Sequence, residues 1–170
     1  MARPQANESA PFYHKYIGLA EGNSVSEIVK DYAFELREFF NNLPESKADF
    51  AYAENKWTVK QVLQHLADAE RVFAYRALRI SRNDETPLAS FDENAFVENG
   101  FATERSLSSL KQELNVVRAA TDIFLLALNE EQVGRIGTAS NNPVSVNALA
   151  FIIYGHLLHH KKILQERYGI

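Results

Sequence analysis

Four long segments of this 170-residue chain repeat apolar residues at the spacing of an α-helix, and this repetition limits the fold more than any other feature. Ser24 and Thr58, which open the first two segments, are each followed three residues later by Glu or Gln, the capping-box pattern of a helix start. Between the segments, no alternation of apolar and polar residues predicts a strand. The pattern predicts an all-α protein, a four-helix bundle. The predicted helices cover about 24–43, 58–81, 106–129 and 145–168.

The connections between these helices differ in length. About twenty residues, 82–101, join the second and third helices, which is more than a tight antiparallel turn requires. A connection of that length can cross the end of the bundle, so that the second and third helices run parallel. We expect residues 24–170 to form a single bundle domain. Residues 1–23, which include PFYHKYI, are predicted to form an N-terminal strap packed on it.

Composition excludes several classes of function. The net charge is −4 and the basic residues are dispersed, which argues against a nucleic-acid partner. No apolar run reaches the roughly 18–20 residues of a membrane span, and the first residues, MARPQANESAP, lack the pattern of a signal peptide. We therefore expect a cytoplasmic protein with no membrane partner. Cysteine is absent, which excludes disulfides, thiolate metal sites and a cysteine nucleophile.

Three histidines are placed on predicted inward faces. His156 and His160 are four residues apart within an apolar stripe, so they differ by about 40° around the helix and about 6 Å along it. His65 lies on the inward face of the second helix. Three neutral imidazoles can bind a divalent metal and leave coordination positions open. The alternative is that they are ordinary hydrogen-bonded core histidines. His159 flanks the stripe, as a side chain beside the centre at most, and His14 lies in the strap without positional support.

Two arginines also occupy inward positions. Arg76 and Arg118 could anchor a carboxylate-bearing ligand or the long connection, because a buried guanidinium needs partners. The alternative, which we favour, is a structural ion pair with an acidic residue such as Glu35, Asp68 or Asp92. As candidates for catalysis, both arginines would orient an anionic substrate.

The fourth helix is apolar on a second face as well. Phe151, Tyr154 and Leu158 point nearly opposite to the histidine stripe, so that face also has to be covered. Either the N-terminal strap or a second subunit could cover it, and we favour a homodimer. Trp57, just before the second helix, is interpreted as a core or capping aromatic residue.

Several segments resemble the DinB-like superfamily of four-helix bundles, which includes bacillithiol S-transferase-like proteins and a group of metal-dependent hydrolases. The resemblance covers nearly the whole chain from Tyr13 onward. It implies an up-down-down-up bundle with a long crossover between helices 2 and 3, and a metal triad of His65, His156 and His160. We expect zinc or nickel, although imidazole ligands also suit iron and cobalt. The segments are KWTVKQVLQHLADAERVFAYRALRISRND, FDENAFV, RSLSSLKQELNVVRAATD and YGHLLHHKKILQERY.

The resemblance implies a metal-dependent transferase that conjugates a low-molecular-weight thiol, as a cosubstrate, to an electrophile. The absence of cysteine is compatible with a sulfur that comes from outside the chain. One alternative is a metal-dependent hydrolase. The other is a non-catalytic, stress-related bundle that binds a metal or ligand. No residue stands out as a general base. The expected partner is a small-molecule substrate.

Overall fold

The computed structural model describes residues 2–170, and its architecture is helical apart from one short hairpin. The helices are α1 (His14–Leu19), α2 (Val25–Asn41), α3 (Val59–Ser81), α4 (Glu93–Asn99), α5 (Leu107–Leu126), α6 (Glu130–Gly134) and α7 (Val146–Tyr168). The strands are β1 (Ile136–Ala139) and β2 (Asn142–Ser145). Single 3-10 turns cover Ala6–Glu8, Pro11–Tyr13, Glu45–Lys47 and Ala102–Glu104.

The four long helices α2, α3, α5 and α7 begin and end close to the predicted positions. Each starts after a residue whose hydroxyl accepts a hydrogen bond from a backbone amide of the first turn, which pairs a donor that the helix itself leaves free. Thr58 and Gln61 form the complete capping box. Gly169, with φ 65°, ends α7 in the left-handed conformation that glycine adopts readily. These local signals explain why the helix boundaries were predictable.

Contacts between helices establish the direction of each one. Arg105, just before α5, donates to Gln64 of α3, and Arg118, later in α5, donates to Glu70, later in α3. The two helices are therefore parallel. At the start of α3, the carbonyl of Trp57 accepts a hydrogen bond from the hydroxyl of Tyr168 at the end of α7, so α3 and α7 are antiparallel.

The remaining helix, α2, runs parallel to α7. The Tyr32 ring lies 6.4 Å from that of Tyr154, and Glu35 pairs with Lys161 further along both helices. Both α2 and α3 pack against α5 and α7. The bundle is therefore up-down-down-up with a long crossover between α3 and α5, which confirms the predicted fold class.

Two connecting elements differ from the prediction. The crossover contains α4, which packs against α3. The expectation of no strands is wrong for residues 136–145, where β1 and β2 pair antiparallel around Ser140 and Asn141. Both turn residues have positive φ, 51° and 62°, as two-residue hairpin turns require. Leu88 of the crossover bonds to the hairpin through the amide of Ser140 and the carbonyl of Thr138, each at 2.9 Å. These strands have only four residues each, too few for a clear alternation.

The second apolar face of α7 is covered by the chain itself. Phe151 and Tyr154 are fully buried: the Arg3 guanidinium lies 5.2 Å from the centre of the Phe151 ring, and the Tyr32 ring of α2 lies 6.4 Å from that of Tyr154. The face that suggested a homodimer is therefore not free, and the homodimer stays a prediction without that support. Within residues 2–170, no helix is both long and apolar enough to cross a membrane.

Candidate metal centre

The imidazoles of His65, His156 and His160 converge inside the bundle, between α3 and α7. The Nε2 atom of His156 lies 3.0 Å from that of His65 and 3.2 Å from that of His160. Potential ligand atoms of all three residues lie within 4.8 Å of one another. The convergence follows from the fold, because α7 places two histidines on successive turns and the antiparallel neighbour α3 presents the third at the same level.

The dimensions of this cluster fit a metal site. Zinc–nitrogen bonds of about 2.0–2.1 Å in tetrahedral geometry place ligand nitrogens about 3.3 Å apart. Neutral imidazoles offer one donor and one acceptor nitrogen each, so three nitrogens that face one another cannot all be paired well without a cation. The group that contains the three histidines includes no carboxylate among residues 2–170. The cluster can therefore bind a metal ion through three neutral ligands.

Burial keeps the three rings neutral. Removal from water, and after it repulsion from the nearby His159, lowers the pKa of His65 to about 4. For His156 and His160, burial followed by repulsion from neighbouring histidines holds the pKa well below the ordinary value of 6.5. At neutral pH all three therefore lack the proton that would compete with a metal. The Nδ1 atom of His160 is buried and has no hydrogen-bond partner among residues 2–170. None of those residues therefore determines, at Nδ1, which ring nitrogen of His160 carries the proton.

Aromatic side chains enclose the cluster. The Trp57 ring lies 4.7 Å from that of His65 and is stacked 6.5 Å from that of His160. Tyr16 of α1 contacts His156 edge-on, with ring centroids 5.5 Å apart. These contacts exclude water from one side of the centre and hold the imidazoles in place. Trp57 also packs against the core, as expected, so the same side chain contacts both the core and the histidine cluster.

A small cavity adjoins the centre at His160. Its volume is about 240 Å³, and it is lined by Trp57 together with polar side chains from the preceding loop and from α4. Such a cavity gives a small molecule access to the cluster. A larger groove of about 950 Å³ lies between α2 and α5, but it contacts none of the three histidines. The volume of a cavity therefore does not identify the candidate site in this protein. The residues that line the smaller cavity are Tyr52, Asn55, Lys56, Trp57, Val62, Asn94, His160, Ile163 and Tyr168.

The other two histidines lie outside the cluster. His14 is exposed and its Nε2 pairs with the carbonyl of Ala6 at 3.0 Å. His159 is half-buried, and its ring lies 5.2 Å from that of His160 and 5.3 Å from that of Tyr16. His159 therefore flanks the centre, as its position on the helix predicted.

Arg76 anchors the crossover. Its guanidinium donates to the carbonyl of Ala89 at 2.6 Å and to the hydroxyl of Ser140 in the hairpin turn at 3.0 Å. The predicted ion pair with Asp92 is not formed, because that carboxylate instead caps α4 by accepting two backbone amides. A single buried cation thus joins α3, the crossover and the hairpin.

Arg118 belongs to a buried polar network. It donates to Glu70 at 2.8 Å and to Asp122, and the Tyr154 hydroxyl donates to Asp122 at 2.6 Å. Burial raises the pKa of Glu70, and the charge of Arg118 opposes that shift. The structural ion pair was predicted, but with different acids. Those acids have other partners: Glu35 pairs with Lys161, and Asp68 with Arg71. Since protein groups engage both guanidiniums, substrate orientation by Arg76 or Arg118 stays a prediction.

Several residues beside the centre were not predicted. Tyr16, Tyr52 and Asn94 come from the strap, the loop before α3 and the crossover helix, and none lies in a long periodic segment. Their aromatic or amide character was visible, but their position depends on how those connections dock. Among the residues beside the centre, the sequence indicates a position near His65 only for Trp57, because Trp57 directly precedes the helix that contains His65.

Known proteins that resemble this chain agree with the fold described above. The model of the DinB superfamily matches residues 34–164. "Putative metal-dependent hydrolase YfiT" of Bacillus subtilis is 30% identical over 73 residues, which span 42% of this chain and 40% of that protein. "Putative metal-dependent hydrolase OB0413" of Oceanobacillus iheyensis is 24% identical over 146 residues, 83% of this chain and 84% of that protein.

Solved structures show the same fold. The structure of YfiT, which has an unusual four-helix bundle topology, aligns with a TM-score of 0.66 at 23% identity and covers 98% of this chain and 93% of that one. The mycothiol-dependent maleylpyruvate isomerase aligns with the same TM-score at 11% identity, over 88% of this chain and 59% of that one. With the family model matching most of its length, the chain belongs to the DinB superfamily.

Proposed function

We propose that this protein is a divalent-metal-dependent enzyme that transfers a low-molecular-weight thiol to an electrophile. The observation that carries the proposal is the convergence of three buried, neutral imidazoles beside a cavity large enough for a small molecule. His65, His156 and His160 would hold the ion. Three ligands leave coordination positions for a substrate, as catalytic rather than structural sites do.

A divalent ion held by neutral ligands supplies a Lewis acid that lowers the pKa of a coordinated thiol or water. The chain's own residues would keep that centre dry and accessible on one side. Trp57 and Tyr16 cover the rings, while the cavity at His160 leaves one approach. The thiol would come from outside, because the chain has no cysteine.

Among residues 2–170, the histidine cluster includes no carboxylate. Deprotonation of a bound thiol or a bound water would therefore depend on the metal, which can lower the pKa of either. Zinc or nickel is the expected ion, since imidazole suits both.

Hydrolysis is the second candidate, and the names of the relatives favour it. Both relatives named above are called metal-dependent hydrolases, and the same three histidines would serve that reaction. Hydrolysis needs a water in place of the thiol at the same position. A hydrolytic site is therefore distinguished by its substrate rather than by its ligands.

Metal analysis of matched histidine variants tests the centre. We expect His65→Ala and His160→Ala to lose the metal that purifies with the protein, while His14→Ala, which changes an exposed histidine outside the cluster, retains it. Equal metal content in all three variants would refute the centre. Gross unfolding of His160→Ala, shown by circular dichroism, would indicate a structural and non-catalytic metal instead.

Assays of the metal-loaded protein then separate the reactions. A panel of low-molecular-weight thiols with a chlorinated aromatic electrophile tests transfer, and a parallel panel of esters and amides tests hydrolysis. Turnover only with a thiol, lost in His65→Ala, supports the proposed reaction. Turnover of the esters or amides without any thiol would replace it with hydrolysis.

A further inference from the structure

Two adjoining cavities extend from the metal centre to the surface. The first, at His160, shares the side chains of Tyr52 and Ile163 with a second cavity of about 590 Å³, which is lined by His159. Since His159 and His160 have ring centroids 5.2 Å apart, both cavities open beside the same centre. We call the two cavities together the vestibule.

The vestibule carries a concentration of positive charge. Lys15, Lys162 and Arg167 line the second cavity, and Lys56 lines the first. Glu166 is the one acidic residue lining either cavity within the described part of the chain. This excess is opposite in sign to the net charge of −4 of the whole chain. A cleft lined by charges of one sign attracts ligands of the other sign.

Structural ion pairs do not neutralise these positively charged side chains. Across residues 2–170, no ion pair involves Lys15 or Arg167, and Lys162 reaches Glu166 only at 3.8 Å, between two exposed side chains. Elsewhere on α7 the pattern is different, since Lys161 is mostly buried and pairs with Glu35 of α2. The vestibule lysines therefore have capacity left for a ligand.

Lys15 is held on the side of the centre. Its Nζ lies 4.7 Å from the centre of the Tyr16 ring, and that ring contacts both His156 and His159. Lys162 of α7 lines the same cavity as Lys15 and His159. Two ammonium groups, one from α1 and one from α7, thus lie on the cavity beside His159.

We propose that the vestibule binds the anionic group of the small molecule whose other end reaches the metal centre. The inference rests on the proposed function and specifies its substrate class: a thiol or electrophile that carries a carboxylate. The anionic group would lie between Lys15 and Lys162, and Arg167 would extend the positive surface outward.

A pair of thiols that differ at one end tests the proposal. The untagged protein is loaded with Co²⁺, and binding of 6-mercaptohexanoate or 6-mercaptohexanol is followed by the sulfur-to-cobalt absorption band. Fluorescence of Trp57, the single tryptophan, reports entry into the cavity independently. We expect the carboxylate to bind about five- to tenfold more tightly than the alcohol, as two partly exposed ion pairs allow. The preference should shrink as salt is raised.

Matched variants locate the effect. The double variant Lys15→Gln/Lys162→Gln should lose the preference, and Lys15→Arg/Lys162→Arg should keep it. Lys30→Gln/Arg37→Gln removes the same charge from the groove between α2 and α5 and should change nothing. Equal affinity for both thiols, or a preference that survives Lys15→Gln/Lys162→Gln, would overturn the vestibule while leaving the metal centre intact. Absence of any cobalt band would instead refute the proposed function, and the vestibule with it.

Discussion

Gly155→Ala should destabilise the protein, because α7, which carries two of the three cluster histidines, lies against the main chain of α1 at this residue. A β-carbon built on Gly155 would lie 1.9 Å from the carbonyl oxygen of Tyr16 and 2.4 Å from its carbonyl carbon. Contacts below 3.0 Å essentially do not occur for a real β-carbon, so the backbone of α1 has to move by about 1 Å or more. A flexible side chain could yield cheaply, but a helix backbone cannot.

The magnitude follows from two opposing effects. Overpacking of this kind costs about 1–3 kcal/mol, and the rigid backbone places Gly155→Ala at the upper end. Alanine is favoured over glycine inside a helix by about 1 kcal/mol, which offsets part of that cost. We expect the free energy of unfolding to fall by about 2 kcal/mol. Urea denaturation followed by far-UV circular dichroism measures it.

Gly18→Ala is the matched control. Gly18 is an exposed residue of α1, and a β-carbon built there has nothing within 4 Å. The same substitution should therefore raise the free energy of unfolding by about 0.5–1 kcal/mol through helix propensity alone. The two variants differ in sign because only Gly155 faces Tyr16.

The centre supplies a second readout for Gly155→Ala. When α1 retreats, the Tyr16 ring leaves His156 and water enters, so the depressed pKa of His156 should rise toward 6.5 in the metal-free protein. NMR titration of the histidine ring protons measures this. If Gly155→Ala stabilises the protein as Gly18→Ala does and leaves the histidine titrations unchanged, α1 does not dock on the centre as described.

Further predictions concern the buried charges. The folded state holds the His65 pKa at about 4, against 6.5 in the unfolded chain, so the unfolded chain binds the extra proton. This difference contributes stability that is present above pH 6.5, and about 3 kcal/mol of it is lost as the pH falls to 4. Because burial also lowers the pKa of His156 and His160, urea denaturation of the metal-free protein should show a loss of at least that size. Arg118→Met should cost about 3–5 kcal/mol in the same assay, since it leaves the Glu70 carboxylate buried and unpaired. Arg76→Met should leave helix content unchanged but speed proteolysis of the crossover, measured by limited digestion, because the carbonyl of Ala89 loses its donor.

The parts of the fold that sequence predicts are those set by local rules. Helix starts depend on a residue and the amide three positions later, so Thr58 and Gln61 identify the start of α3 without any tertiary information. The histidine pair on α7 is equally local, because a four-residue spacing fixes both direction and height on a helix. Placing His65 beside that pair needed the topology, which the family resemblance supplied.

Docking of the connections could not be predicted in this way. Tyr16 reaches the centre because Gly155 allows the α1 backbone to approach, and no pattern within either segment reveals that pairing. The partner of Arg118 was missed for a similar reason. Several acids were available, and the choice of Glu70 depends on the parallel register of α3 and α5. The hairpin was not predictable from the sequence, because its turn places Ser140 at positive φ, a conformation seldom adopted by residues other than glycine and asparagine.

The buried polar contacts explain why the centre keeps its geometry. His65 with His156 ties α3 to α7, Arg118 with Glu70 ties α5 to α3, and Tyr154 with Asp122 ties α7 to α5. Apolar side chains alone tolerate sliding between packed helices, whereas each of these pairs is lost if one helix shifts by a turn, about 5.4 Å. A slip of even 1 Å would also spoil the distances at which three nitrogens can share one ion. The network around Arg118, on the face of α7 away from the histidines, therefore fixes the register of the helices that carry the three histidines of the candidate centre.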